Sequence, residues 1–324
     1  MRIPSVILAV CLAQFAAAQP TETTAEKLIA AGHWKQARTL VEARLRQSPD
    51  EALSTFLLSQ IRNSFGDYTS PLTLAEKAVA LDGRVAKYHR QLAEVLGVEA
   101  QHANPVKIVF LAHRFRTEID IATSLDPRDL QAQRDLLEYY LVAPGIAGGD
   151  IQKASVTAQY IAQLDAAEGL LARARIAAVR RQDAETENLL RQATQAQPPS
   201  YRARVELANF YLTDRPSQTS AESVAKDLLN LDRNRVEPYS ILARIYAERA
   251  DWNALDAVLA DASREVPDDL APCYRAAEAL IANRRDPGRA ERYLRLYLDH
   301  EPEGNEPSLA DAQRKLSECR KKSL

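Results

Sequence analysis

The sequence predicts an all-α protein, a right-handed α-solenoid of about eight helical hairpins closed by a C-terminal capping helix. Three observations support this. Apolar residues make up 46% of the 324 residues but aromatic residues only 6%, with ten glycines, and the common Ala, Leu, Arg, Gln and Glu are good helix formers. Small and apolar residues recur about every 34 residues, a period typical of helical repeats. Proline follows several predicted helix pairs, where it ends a helix.

The N-terminus has the layout of a cleavable signal peptide. In MRIPSVILAVCLAQFAAAQP, one arginine precedes a short apolar run that ends in three alanines. The run is too short to span a bilayer stably. Cys11 raises acylation as an alternative, but Val10 stands where a small residue is expected. We therefore expect residues 1–18 to be removed after Ala18, leaving a periplasmic or secreted protein without stable membrane insertion.

The repeat is clearest in residues 238–269, PYSILARIYAERADWNALDAVLADASREVPDD. Its small, aromatic, apolar and proline positions are Ala243, Tyr246, Leu255, Leu259, Ala262 and Pro267. Equivalent small residues lie at Ala277, one repeat later, and at Ala208 and Ala174, one and two repeats earlier. Small residues let paired helices approach closely, and larger apolar residues fill the space between successive pairs. This pattern resembles the tetratricopeptide repeat (TPR).

The other repeats follow from this register. Residues 25–50 form a first unit, 74–83 end a second and 115–127 end a third, which the loop QHANP lengthens by about ten residues. We expect one continuous array over residues 19–302, ending at Pro302. Residues 303–324 are expected to form a polar capping helix and tail, which closes the open end of a solenoid.

The fourth repeat is interrupted by a loop rich in glycine, APGIAGG at residues 143–149. Pro144 ends the preceding helix, and Gly145, Gly148 and Gly149 permit positive φ or close backbone approach. Asp150 is suited to cap the next helix. Three interpretations remain open: a structural turn, a partner-contact loop, or an anion site that uses loop amides and Lys153.

The loop and its surroundings also carry a narrower resemblance, over about residues 86–165. They are similar to a group of exported bacterial TPR proteins with a shared APGIxGG loop and no assigned function. The matching residues are Ala122, Leu125, Asp126, Pro127, Tyr140, Ala143, Pro144, Gly145, Ile146, Gly148, Gly149, Lys153 and Ala154. This resemblance implies the fold and export; it implies no activity.

Arrays that resemble TPR proteins bind extended peptides or helices on a concave surface lined by the first helix of each hairpin. The repeat register predicts that this surface carries a row of charges, with candidate binding residues at Lys87, Arg90, Arg134, Arg175, Arg202, Asn209, Arg244 and Tyr274. Glutamates are interleaved at positions 94, 138, 168, 237 and 278. The arginines either bind carboxylates of a partner or pair with these glutamates at spacings of three or four; both alternatives stay open.

Several functions are not supported by the sequence. With 42 basic and 44 acidic residues, the chain lacks the positive charge typical of nucleic-acid binding. No catalytic motif is present, and the five histidines are scattered surface or helix-end candidates without metal-ligand spacing. We expect no catalytic residues, metal or cofactor. Cys273 and Cys319 should lie about 20 Å apart, too far for a disulfide, so both are expected to remain thiols.

The leading hypothesis is a non-enzymatic, protein-binding scaffold or adaptor in the bacterial cell envelope, which binds a protein or peptide segment in the concave groove. The alternative is a small-ligand or anion-binding accessory protein of the transporter-associated kind. A hydrolase is disfavoured because no nucleophile and base are paired in the sequence.

Overall fold

A computed structural model describes residues 23–66, 70–300, 303 and 307–322. These residues form eight helical hairpins and one further helix, with no strand among them. The first four hairpins are α1 (Thr24–Ala30) with α2 (Trp34–Gln47), α3 (Ala52–Ser64) with α4 (Ser70–Leu81), α5 (Ala86–Gln101) with α6 (Pro105–Leu125), and α7 (Leu130–Val142) with α8 (Ile151–Leu164).

The remaining hairpins are α9 (Ala166–Val179) with α10 (Asp183–Thr194), α11 (Tyr201–Thr213) with α12 (Gln218–Leu231), α13 (Glu237–Arg249) with α14 (Trp252–Glu265), and α15 (Ala271–Ala282) with α16 (Pro287–Asp299). Helix α17 (Leu309–Lys322) packs on the last hairpin. The predicted α-solenoid is confirmed. The predicted signal peptide, residues 1–18, and Pro302 lie outside the described residues.

The small positions of the repeat are the contact points between helices. Ala174, Ala208, Ala243 and Ala277 are each at most 2% exposed. They belong to one apolar core that runs from α9 to α17. Because each hairpin packs mainly on the hairpins next to it, this core extends from hairpin to hairpin and has no single centre.

The third hairpin is longer than the others, and its extra residues are helical. Helix α5 has 16 residues and α6 has 21. The connection between them is therefore only residues 102–104. The expected stretched loop is therefore wrong in its detail: Asn104 caps α6 through the Lys107 amide and Pro105 begins it. His89, expected at the surface, is 6% exposed and lies within hydrogen-bonding distance of the Glu118 carboxylate and the Gly83 carbonyl.

The first hairpin contacts the far end of the chain. The Glu303 carboxylate accepts the Lys35 backbone N–H at 2.8 Å. This contact caps α2, whose own N-cap residue His33 supplies no side-chain hydrogen bond. The Lys35 ammonium lies 3.6 Å from Glu303 and 3.8 Å from Asp268. We call this set of contacts the clasp; it links the first turn of α2 to the segments before α15 and after α16.

The two cysteines of the described residues remain thiols, as expected. Cys273 and Cys319 are buried thiols and form no disulfide with each other. Burial raises the pKa of the Cys273 thiol to about 11. Among the described helices, none is long and apolar enough to cross a membrane.

Candidate functional site

The first helices of hairpins four, five and six enclose a cavity of about 560 Å³. We call it the groove pocket. Helices α7, α9 and α11 supply most of its wall, so three successive repeats contribute. Its charged lining residues are Arg134, Asp135, Glu138, Glu168, Arg175, Arg202, Glu206 and Asp214, and its apolar ones include Leu137, Leu171, Ala172, Ala174, Ala178, Leu190 and Phe210.

The groove pocket exists because α9 carries small side chains. Ala172, Ala174 and Ala178 line the cavity and leave space that larger residues would fill. On the side facing α8, a Cβ atom at Gly169 would lie 2.3 Å from the Ala162 Cβ. Glycine therefore permits α8 and α9 to pack at close range. The alanine-rich sequence of α9 thus produces both the close packing and the hollow.

The arginines of the groove pocket are paired with glutamates of neighbouring repeats. Arg134 lies 3.0 Å from Glu168, which also pairs with Arg202. Arg175 binds Glu138 through two nitrogens, with Nε donating at 3.0 Å. These pairs join residues that are 34 to 37 positions apart in the sequence. Among the arginines of the groove pocket, the one ion pair between residues four apart on the same helix is the longer Arg202–Glu206 contact of 3.8 Å. The guanidinium charges are therefore largely neutralised within the protein.

Asp135 is the least satisfied side chain of the groove pocket. Its Oδ1 accepts from the Gln131 amide at 2.8 Å, whereas the shielded Oδ2 has no hydrogen-bond partner among the described residues. Burial raises the pKa of Asp135 to about 6, and Glu94 adds to this, while Arg90 and Arg134 oppose it. The ionised carboxylate therefore costs stability at neutral pH.

We expect Asp135→Asn to raise the free energy of unfolding near pH 7 by about 1 to 3 kcal/mol. Because the folded-state pKa is raised, the folded protein binds a proton more readily than the unfolded chain between about pH 4 and 6. The wild-type contribution is thus favourable in acid and is lost as pH rises through about 6, and the advantage of the variant should shrink on acidification.

Chemical denaturation at several pH values measures this difference. Asp227→Asn, at an exposed aspartate of α12, is the matched control and should change stability by less than about 0.5 kcal/mol. An Asp135→Asn protein that is less stable than wild type near pH 7 would show that the ionised carboxylate stabilises the fold.

The other predicted groove residues lie outside the groove pocket. Lys87 pairs with Glu26 at 2.6 Å, Arg90 lies 3.4 Å from Asp129, and Arg244 donates to Glu248 at 2.9 Å. Of the predicted set, Arg134, Arg175, Arg202 and Asn209 line the cavity together.

The prediction that Tyr274 lines the groove is wrong. This tyrosine is 3% exposed and packs against Tyr297 with ring centroids 5.5 Å apart, so it belongs to the core. Tyr274 precedes the small residue Ala277 by three positions, whereas Arg202 precedes Ala208 by six. The offset of three corresponds to Leu171, which is 5% exposed. The offset of three from the small residue therefore indicates a largely buried position.

The glycine-rich loop is a compact turn. Pro144 precedes a short 3-10 turn, Gly145–Ala147, and Gly148 follows it with φ of +97°. A Cβ atom at Gly149 would lie 1.9 Å from the Ala143 carbonyl oxygen. The Tyr139 hydroxyl donates to the Ala147 carbonyl, and its ring stacks on Phe115 at 5.5 Å. These contacts favour the structural interpretation of the loop.

The anion interpretation finds little support in the same geometry. The amides of residues 147–150 donate to carbonyls of Tyr140, Pro144 and Gly145. The Asp150 carboxylate accepts the first amides of α8, so a negative charge already occupies this helix end. Lys153 lies 4.0 Å from Asp150 and 5.8 Å from the Tyr140 ring. Ile146 is 80% exposed, which leaves a partner contact open.

Comparison with known proteins bears on the fold alone. No protein-family model matches the chain, and no curated protein matches it. A thermophilic TPR protein of Thermus thermophilus is similar in structure, with 19% identity and a TM-score of 0.51 over 58% of this chain and 95% of that one. Yeast Tom70 is similar with 13% identity and a TM-score of 0.61, over 95% of this chain and 66% of that protein's chain. The protein therefore has the fold of TPR proteins, an α-solenoid of helical hairpins.

Proposed function

We propose that the protein is an exported, non-enzymatic scaffold that binds a segment of a partner protein on its concave surface, in the bacterial cell envelope. The groove pocket is the observation that carries this proposal. A concave cavity with apolar and polar walls is the usual form of a binding site, and it lies across three consecutive repeats. The N-terminal sequence pattern of residues 1–18 supports export.

The interaction class follows from what the groove pocket offers. Nearly buried leucines and Phe210 give the cavity a small apolar surface, and its charged and amide groups can orient a bound chain. Among the described residues, no His, Cys, Asp or Glu side chains group as metal ligands. The charged, amide and apolar groups of the cavity are of the kinds that contact a bound protein segment.

Site-specific crosslinking in the envelope tests this function. A photo-crosslinking side chain in place of Asn209, which is exposed and lines the groove pocket, should join to one defined protein. The same group in place of Asp227 on α12 is the control and should not join to that protein. Crosslinking should also fall at least about tenfold when Ala178→Phe fills the cavity, since a phenyl ring occupies the partner's volume without altering charge.

Two results would contradict the proposal. One is the same crosslinked product from both positions, which would place the contact outside the groove. The other is a product at Asn209 that persists in full in a folded Ala178→Phe protein. Circular dichroism of the variant separates loss of binding from loss of fold.

A small-ligand accessory protein is the second candidate, because about 560 Å³ lies within the range that small ligands occupy. Its anion-binding form is disfavoured, since the arginines of the cavity are already paired with Glu138 and Glu168. A compound that copurifies with the wild type, and is absent from Ala178→Phe, would favour this candidate.

A further inference from the structure

The charge balance of the groove pocket identifies the chemistry of its ligand. The cavity wall carries three arginines and five carboxylates, a difference of two negative charges when all are ionised. An arginine row binds anionic partners only if its guanidinium groups are available. Here each one is held by a glutamate of an adjacent repeat.

The charges left over are acidic. Among the residues that the structure describes, neither Asp135 nor Asp214 forms an ion pair. Asp214 follows the last turn of α11, where the helix dipole adds negative potential. Asp135 has one carboxylate oxygen without a hydrogen-bond donor. A carboxyl group that lowers stability and has one oxygen without a hydrogen-bond donor is typical of a functional position.

The same cavity suits the aliphatic part of a long basic side chain. Leu171, Leu190 and Phe210 form an apolar wall beside the carboxylates. Lysine and arginine bury their methylene stems on such surfaces while the charged end reaches polar groups. An ammonium or guanidinium group in the cavity would offset the excess negative charge of its wall.

We propose that the groove pocket binds a basic segment of a partner protein, with separate lysine or arginine side chains of that segment lying beside Asp135 and beside Asp214. This inference rests on the proposed function, and it assigns the partner the opposite charge to one bound through the arginines. A segment fits better than a single residue because the cavity lies across α7, α9 and α11. Two helix spacings of about 10 Å correspond to about six extended residues.

Fluorescence anisotropy with labelled synthetic peptides tests the proposal. The probes are an alternating lysine–alanine peptide of about eight residues and its glutamate–alanine counterpart. We expect the basic peptide to bind the wild-type protein at least about tenfold more tightly at low salt, with a preference that weakens as salt rises.

The variant Asp135→Asn/Asp214→Asn should weaken binding of the basic peptide by about tenfold or more. Asp227→Asn/Asp299→Asn removes the same charge from exposed residues of α12 and α16 and should leave the affinity within about twofold of wild type. Since Asp135→Asn is expected to stabilise the protein, the first variant should remain folded, which circular dichroism verifies.

The inference is overturned if the acidic peptide binds equally well, if neither peptide binds, or if both double variants bind the basic peptide alike. Crosslinking from Asn209 distinguishes this failure from failure of the proposed function. A specific crosslink that persists while the basic peptide shows no preference would retain the scaffold and reject the basic partner.

Discussion

Gly149→Ala should lower the free energy of unfolding by about 3 kcal/mol, the upper end of the usual cost of overpacking. The added Cβ atom would lie 1.9 Å from the Ala143 carbonyl oxygen and 2.9 Å from its carbonyl carbon. Both are backbone atoms, so no side chain can turn away to make room. The loop must open, which breaks the Asp150 N–H hydrogen bond to the Tyr140 carbonyl. Thermal unfolding followed by circular dichroism should show a fall in Tm of about 5 to 10 °C.

Gly145→Ala, four residues earlier in the same loop, is the matched control. A Cβ atom there meets no atom within 4 Å, and substitutions at such surface positions usually change stability by less than about 0.5 kcal/mol. Equal Tm values for the two variants would mean that the loop tolerates a side chain at residue 149. The close approach would then not be needed for the turn.

Gly169→Ala should also destabilise the protein, by about 2 kcal/mol. Alanine is the better helix former by about 1 kcal/mol, so the propensity change alone would stabilise α9. It is outweighed because the new Cβ would lie 2.3 Å from the Ala162 Cβ and 2.4 Å from its Cα. Helices α8 and α9 must separate, and the contacts between hairpins four and five weaken.

Gly97→Ala in α5 isolates the propensity effect. There the nearest atom to an added Cβ is the Phe115 Cε2 at 3.4 Å, a distance that a ring can accommodate. We expect this variant to equal or exceed the wild type in stability by up to about 1 kcal/mol. Urea denaturation compares the two, and a Gly169→Ala protein that gains stability like Gly97→Ala would rule out close packing of α8 on α9.

The hairpins were predictable because each position of the repeat requires the same kind of side chain in every hairpin. Ala243 and Ala277 lie 34 residues apart, and both are fully buried between helices. The aspartate before α8 likewise marks a helix start that the structure contains. Local sequence determines such features, so the helix order could be inferred without knowing how the hairpins stack.

For the groove, the sequence left open whether the arginines bind a partner or pair with glutamates, and the structure contains the pairs. Arg134, Arg175 and Arg202 do line one cavity. Their pairing with Glu138 and Glu168 depends on how far adjacent repeats rotate, which spacing along one helix does not report. Asp135 was not predicted for the same reason. The lack of a hydrogen-bond donor to its Oδ2 atom depends on how the neighbouring helices pack around it.

The clasp has a consequence for how the solenoid opens and folds. In a linear array each hairpin contacts only its neighbours, and the terminal units fray independently. Here Lys35 and Glu303 join positions 268 residues apart, so the chain becomes a loop whose two ends lose order together. Such a long-range closure comes late in folding, because it must overcome the entropy of a large ring.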